Sequence, residues 1–188
     1  MNRYHIPIIL LFTLIIFISG CDQQVPETQE ETPQLEIVTK LGKGIVNRDE
    51  IGGNELFVVS AHTSNSKVGG DGKFTTVVSS EGAQIIFVED EQKRLRATAI
   101  SLPQYAENIV FDATSTAKVS IFFTPGILAV DPSEAESTLN KIDQLYCFPD
   151  LVSFYRNRLY TNSINDLNLP MNEEYNALLE RCINEIRE

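Results

Sequence analysis

The chain has no tryptophan, two histidines, three cysteines and two methionines in 188 residues. Each shortage closes a door. Without tryptophan it lacks the usual sugar-stacking platform. His5 and His62 are too few for a histidine-rich zinc site, and no C-x-x-C or H-E-x-x-H occurs. There is no G-x-S-x-G elbow, so a serine hydrolase triad lacks its usual turn. There is no G-x-G-x-x-G, and Gly69-Gly70-Asp71-Gly72-Lys73 does not meet the spacing of a phosphate loop. No D-x-D-x-D-G ladder accompanies Asp71, Asp49 and Glu50, the residues nearest to a calcium pattern. No cofactor is expected. Basic residues are also short: 15 Lys and Arg against 26 Asp and Glu. That balance argues against nucleic acid, whose phosphates need neutralising cations. It argues as well against flat contact with anionic headgroups. Its plain meaning is solubility.

The one long apolar stretch runs from Ile6 to Ile18, interrupted by Pro7 and Thr13. A membrane-spanning helix needs about 20 residues, so this run has the length of a signal-peptide core. Met1 to His5 precede it with one firm positive charge, Arg3, and Ile18-Ser19-Gly20-Cys21 closes it. Small residues ahead of a cysteine let a peptidase reach the backbone. The motif resembles the lipobox of bacterial lipoproteins. The resemblance implies cleavage between Gly20 and Cys21, a diacylglyceryl thioether on Cys21, and a life outside the cytoplasm facing the periplasm or the extracellular side. The competing reading is an uncleaved anchor with a free Cys21. Two acyl chains hold stably where one holds marginally. In Gram-negative relatives of such proteins, an aspartate at the position of Asp22 favours retention at the inner membrane. Loss of Arg3 with residues 1–20 leaves 14 basic and 26 acidic residues, a net charge of 14 − 26 = −12.

Residues 21–36 carry Asp22, Glu27, Glu30, Glu31 and Glu36 with two prolines and no basic residue. With few large apolar side chains they read as a tether. A flexible chain of about 15 residues spans roughly 20–25 Å.

Residues 37–111 read as β. Strands are expected over Leu35–Val46, Leu56–Val59, Phe74–Ser79, Gln84–Glu89 and Leu95–Ala99, with Ile109–Phe111 as a further short one. Gly52-Gly53, Gly69–Gly72, Glu81-Gly82 and Asp90–Lys93 are turns, and His62–Lys67 is a polar loop. Arg94, Arg96 and Thr98 alternate with Leu95, Ala97 and Ala99, which predicts one wet face and one inward face. Short strands with regular turns suggest an antiparallel sandwich.

Gly44-Ile45-Val46, Val58–Ala61, Gly70–Thr75, Glu81-Gly82 and Ile85–Val88 together resemble carboxypeptidase-regulatory-like (transthyretin-like) β-sandwich domains. The resemblance covers about a third of the chain and departs in the hairpin, where the spacing around Asp71-Gly72 is shorter. It implies a non-catalytic module that binds or scaffolds.

Residues 112–188 read as helices packed on that sandwich. Ala113, Ala117 and Ile121 fit a helix beginning near Thr114 and ended by Pro125-Gly126, while Val119–Thr124 also fits a buried strand; both readings stay open. Asp131-Pro132-Ser133-Glu134 is a helix start, followed by Ala135, Leu139, Ile142 and Tyr146 on one face. Pro149 opens a second helix, Thr161–Leu169 is polar loop, and Tyr175, Leu178, Leu179, Cys182, Ile183 and Ile186 stripe a last helix. The fold class expected is α+β: a small antiparallel β-sandwich followed by a bundle of three or four helices.

With Cys21 lipidated, Cys147 and Cys182 remain. An oxidising compartment favours a disulfide between the second and last helices; the alternative is a core Cys182 and a half-exposed Cys147 thiol. His62 sits at the end of a strand without an identifiable orienting partner, so a solvated histidine explains it better than a general base. Function then reads as a lipid-anchored binding or scaffolding module, with the membrane and an envelope protein as partners. The alternative is a small envelope hydrolase with an unfamiliar site.

Overall fold

Seven strands of residues 39–111 form two sheets, and helices of residues 113–187 cover one side of them. The computed structural model describes residues 38–124 and 134–187. The chain divides into two units, Met1–Glu36 and Ile37–Glu188, and every described residue belongs to the second. The cleavage site Gly20 and Cys21, the tether, Pro125-Gly126 and Asp131–Ser133 lie outside the described residues.

The strands are β1 (Thr39–Val46), β2 (Leu56–Ser60), β3 (Thr63–Lys67), β4 (Lys73–Ser79), β5 (Gln84–Asp90), β6 (Leu95–Ser101) and β7 (Ile109–Phe111). One sheet has the order β4-β1-β7 and the other β3-β2-β5-β6. Strand alternation builds the interior: Val46, Leu56, Val58, Phe74, Val78, Ile86, Val88, Ala97 and Phe111 are buried between the sheets. Phe74 and Phe111 meet there with ring centroids 5.5 Å apart.

Three findings depart from the sequence expectations. First, β7 pairs with β1 in parallel, Gly44 opposite Ile109. The many residues between them permit the crossover that a parallel pair needs. Gly44 is required there, because a Cβ would stand 2.0 Å from the Ile109 carbonyl oxygen.

Second, the stretch expected as loop after His62 is the edge strand β3, paired with β2 from Phe57–Lys67 to Ser60–Thr63 through a register shift. Its polar side chains suit an edge, where charge and polarity discourage further pairing. A hydroxyl chain joins it to β4: Ser60 Oγ lies 3.2 Å from Thr63 Oγ1, which lies 3.2 Å from the buried Thr76 Oγ1.

Third, the outer face of β6 is not wet. Arg96 and Thr98 are buried under the helices. The Arg96 guanidinium donates to the carbonyls of Leu159 and Tyr160 at 3.0 and 3.2 Å. The alternation was sound, but neighbouring chain covers its polar face.

The helices are α1 (Ala113–Phe122), α2 (Ala135–Ile142), α3 (Phe148–Arg156) and α4 (Glu173–Arg187). For residues 114–122 the helix prevails over the strand, because Asp112 and Ser115 make a capping box: the Ser115 N–H donates to Asp112 Oδ1 at 2.7 Å, and the Asp112 N–H donates to Ser115 Oγ at 3.0 Å. Ala113, Ala117 and Ile121 are fully buried along its inner face. The first turn of α1 also completes the open edge of β6. Ser115 Oγ donates to the Thr98 carbonyl at 3.0 Å, and Thr116 Oγ1 accepts the Thr98 N–H at 3.3 Å. Glu50, from the loop after β1, accepts the Ala113 N–H at 2.9 Å and the Arg156 Nε–H at 2.9 Å, tying α1 to α3.

On α2, Ala135 and Ile142 are buried as expected, but Tyr146 is 93% exposed. The helix ends at Ile142 and its cap Asp143, so the spacing does not carry to Tyr146. Leu151, Val152, Phe154 and Tyr155 bury α3, and the Tyr175–Cys182 stripe buries α4 against it. Phe154, Tyr155 and Tyr175 cluster with centroids 5.5–6.1 Å apart. Burial pushes the Tyr155 phenol up, and its hydroxyl meets Ser120 Oγ at 2.7 Å. Residues 161–169 contain a short 3-10 turn, Asn165–Leu167, and Ile164 N–H donates to the Leu95 carbonyl at 2.7 Å, fastening this loop to β6. Cys147 and Cys182 form a disulfide that joins the start of α3 to α4. Among the described residues no helix is long and apolar enough to cross a membrane.

Candidate functional site

A cavity of about 300 Å³ opens where α1 and α2 lean over the outer side of β6 and β7. β6 and β7, one from each sheet, supply its floor through Ala99, Ile100 and Val110, joined by Leu102 just after β6, and Leu139 of α2 closes the apolar side. The polar rim comes from three places. Tyr105 and Asn108 stand in and after the 3-10 turn Pro103–Tyr105. Asp112, Thr114 and Lys118 come from the start of α1, and Glu136 and Asn140 from α2.

Local chemistry fixes these side chains. Pro103 sits in the first turn of the 3-10 segment, where its missing N–H costs nothing. That turn aims Tyr105, 49% exposed, across to α2. The Tyr105 hydroxyl donates to Glu136 Oε1 at 2.5 Å, and the Gln104 amide donates to Oε2 at 2.8 Å. The bond to Glu136 and its charge push the Tyr105 phenol up. The Tyr105 and Gln104 donors hold the Glu136 carboxyl below its ordinary range. Lys118 Nζ donates to Asp143 Oδ2 at 2.7 Å. Asp112 uses one carboxylate oxygen for the helix cap. Ser115 borders the cavity, with its Oγ 3.0 Å from the backbone carbonyl oxygens of both Thr98 and Asp112, either of which can accept its single proton.

The residues singled out from the sequence fall elsewhere. His62 occupies the turn between β2 and β3, where its backbone N–H donates to Ser60 Oγ at 3.2 Å. Asp71 lies in the turn before β4. Hydrogen bonds from Lys73, with its charge, hold the Asp71 carboxyl below its ordinary range. Asp71 and Asp49 border one shallow groove, which they share with Arg48, while Glu50 turns away to α1 and α3. Among the described residues no three His, Cys, Asp or Glu side chains gather as a metal-binding group. Cys147 and Cys182 do not border the cavity.

Sequence reading missed the cavity residues. Tyr105 lies between the expected strands Leu95–Ala99 and Ile109–Phe111, and Glu136 lies 31 residues further on. Nothing in their spacing joins them; only the fold of α2 onto the sheet does. No family model matches this chain, and no curated protein or solved structure matches it either.

Proposed function

We propose that this protein is a lipid-anchored, extracytoplasmic binding module, held to a cell membrane through Cys21 and without catalytic activity of its own. The observation that carries the reading is the Ile18-Ser19-Gly20-Cys21 motif at the end of a short apolar run. The Cys147–Cys182 disulfide supports it, because such bonds persist in oxidising compartments outside the cytoplasm. The acidic, proline-bearing stretch 21–36 supplies the spacer that an anchored domain needs. The resemblance of about residues 44–100 to regulatory-like sandwich domains favours a binding or scaffolding role, as fold-level analogy. The cavity beneath α1 and α2 is the site offered to a ligand, and an envelope protein is the partner proposed.

Crosslinking in intact cells tests this. Wild type and Cys21→Ala are crosslinked, purified and compared by mass spectrometry. The reading expects a reproducible envelope protein that is lost with Cys21→Ala. An identical partner set in both strains, with both chains recovered from the soluble fraction, overturns it.

A further inference from the structure

We infer that the cavity beneath α1 and α2 binds the ammonium end of a small alkylamine, with the alkyl stem lying on the apolar floor. The inference deepens the proposed function, since it rests on reading this cavity as the ligand site of a binding module.

Hydrogen-bond accounting leads there. The strongest donors at the rim are already committed. The Tyr105 hydroxyl and the Gln104 amide point at Glu136, and Lys118 Nζ is on Asp143. Accepting capacity remains on the carboxylates. An ionised carboxylate offers about four lone-pair positions, and Glu136 and Asp112 have used only some of theirs. Charge agrees, because Asp143 neutralises Lys118 and leaves Glu136 and Asp112 unbalanced. Two carboxylates against one paired lysine leave the rim net negative, which favours an ammonium over an anion.

Shape adds two independent arguments. The half-exposed Tyr105 ring lines the cavity next to Glu136, and an aromatic face beside a carboxylate is a recurring way to hold an ammonium group. The floor of Ile100, Leu102 and Leu139 offers a dry surface to methylenes and nothing to a fully hydroxylated ring.

Isothermal titration of the full chain, purified from membranes in neutral detergent, tests the inference. The probe is butylammonium chloride, with butanol lacking the charge and butyrate reversing it. Butylammonium should bind at least about tenfold more tightly than butanol, and butyrate should not bind. Glu136→Gln keeps a side chain of the same shape and should cost at least about tenfold in affinity. Tyr105→Leu should weaken binding as well, while Tyr105→Phe, which keeps the ring, should retain it. Equal binding of butylammonium and butanol overturns the inference, and so does wild-type affinity in a folded Glu136→Gln. If Glu136→Gln fails to fold, the comparison of the three probes on wild type decides alone. Nα-acetyl-lysine amide and phosphoethanolamine then separate a peptide side chain from a lipid headgroup as the source of the amine. The titration is repeated on Cys21→Ala, which should bind alike. A negative titration with a positive crosslink overturns the amine site alone; the converse overturns the anchor alone.

Discussion

Arg96 and Arg94 both approach Asp90, and they rank in opposite order by distance and by burial. Arg94 Nε lies 2.8 Å from Asp90 Oδ2 with a side chain 48% exposed, whereas Arg96 lies 3.9 Å away with a side chain 4% exposed. A half-solvated pair contributes about 0.2–1 kcal/mol. Arg96→Ala instead strips the buried Leu159 carbonyl and the part-buried Tyr160 carbonyl of a charged donor. Hydrogen bonds to charged groups contribute about 1.5–3 kcal/mol each, and breaking a buried charged network typically costs about 3–5 kcal/mol. The surroundings leave little room to relax, because a Cβ on Gly52 would already stand 1.9 Å from the same Tyr160 carbonyl oxygen. Arg96→Ala should therefore cost about 3–5 kcal/mol, and Arg94→Ala no more than about 1 kcal/mol. For a chain of this size that lowers the Tm by roughly 10 °C in the first case and by a few degrees in the second. Arg96→Lys should recover less than half, since one ammonium cannot reproduce a planar fork. Urea unfolding followed by circular dichroism measures all three. An Arg94→Ala loss equal to or larger than that of Arg96→Ala would refute the reasoning.

Other consequences follow from the same structure. Reducing Cys147–Cys182, separated by 35 residues, should cost about 4 kcal/mol in the chain-entropy model and lower the Tm by roughly 8–16 °C; a Tm indifferent to reductant once both thiols titrate would contradict this. Gly44→Ala forces β7 away from β1, since the new Cβ meets the Ile109 carbonyl, and should destabilise by about 2 kcal/mol or more in urea titrations. Burial pushes the Asp90 carboxyl up, but hydrogen bonds from Arg94 and from the Gln92 N–H outweigh it and hold the carboxyl below its ordinary range. A depressed carboxylate contributes stability above its unfolded pKa, near 4, that disappears as pH falls through the folded value. Asp90→Asn should thus flatten the acid limb of a Tm-against-pH curve below about pH 4, and an unchanged limb would count against the assignment.

The strands and helices that carry their own periodicity were legible from the chain. Ala113, Ala117 and Ile121 marked the buried face of α1, and the stripe from Tyr175 to Ile186 marked that of α4. What escaped depends on tertiary company. β3 reads Thr63–Lys67 with no apolar alternation, because its partners are backbone groups of β2 and not a core. Arg96 and Thr98 look solvated in sequence, and only α1 and the Ile164 loop reveal them as buried. Tyr146 fails for the opposite reason: its spacing is right, but the helix stops at Asp143. The cavity was invisible because its rim is assembled from the Pro103 turn, α1 and α2, with Tyr105 and Glu136 31 residues apart.

The most direct test of the anchored reading is the mass of the N-terminal peptide recovered from the membrane fraction of cells expressing the full chain. The account predicts a peptide that begins at Cys21 and carries a diacylglyceryl group on its sulfur, and a Cys21→Ala chain that leaves the membrane. A peptide beginning at Met1, or an unmodified Cys21 on a chain in the soluble fraction, would contradict it.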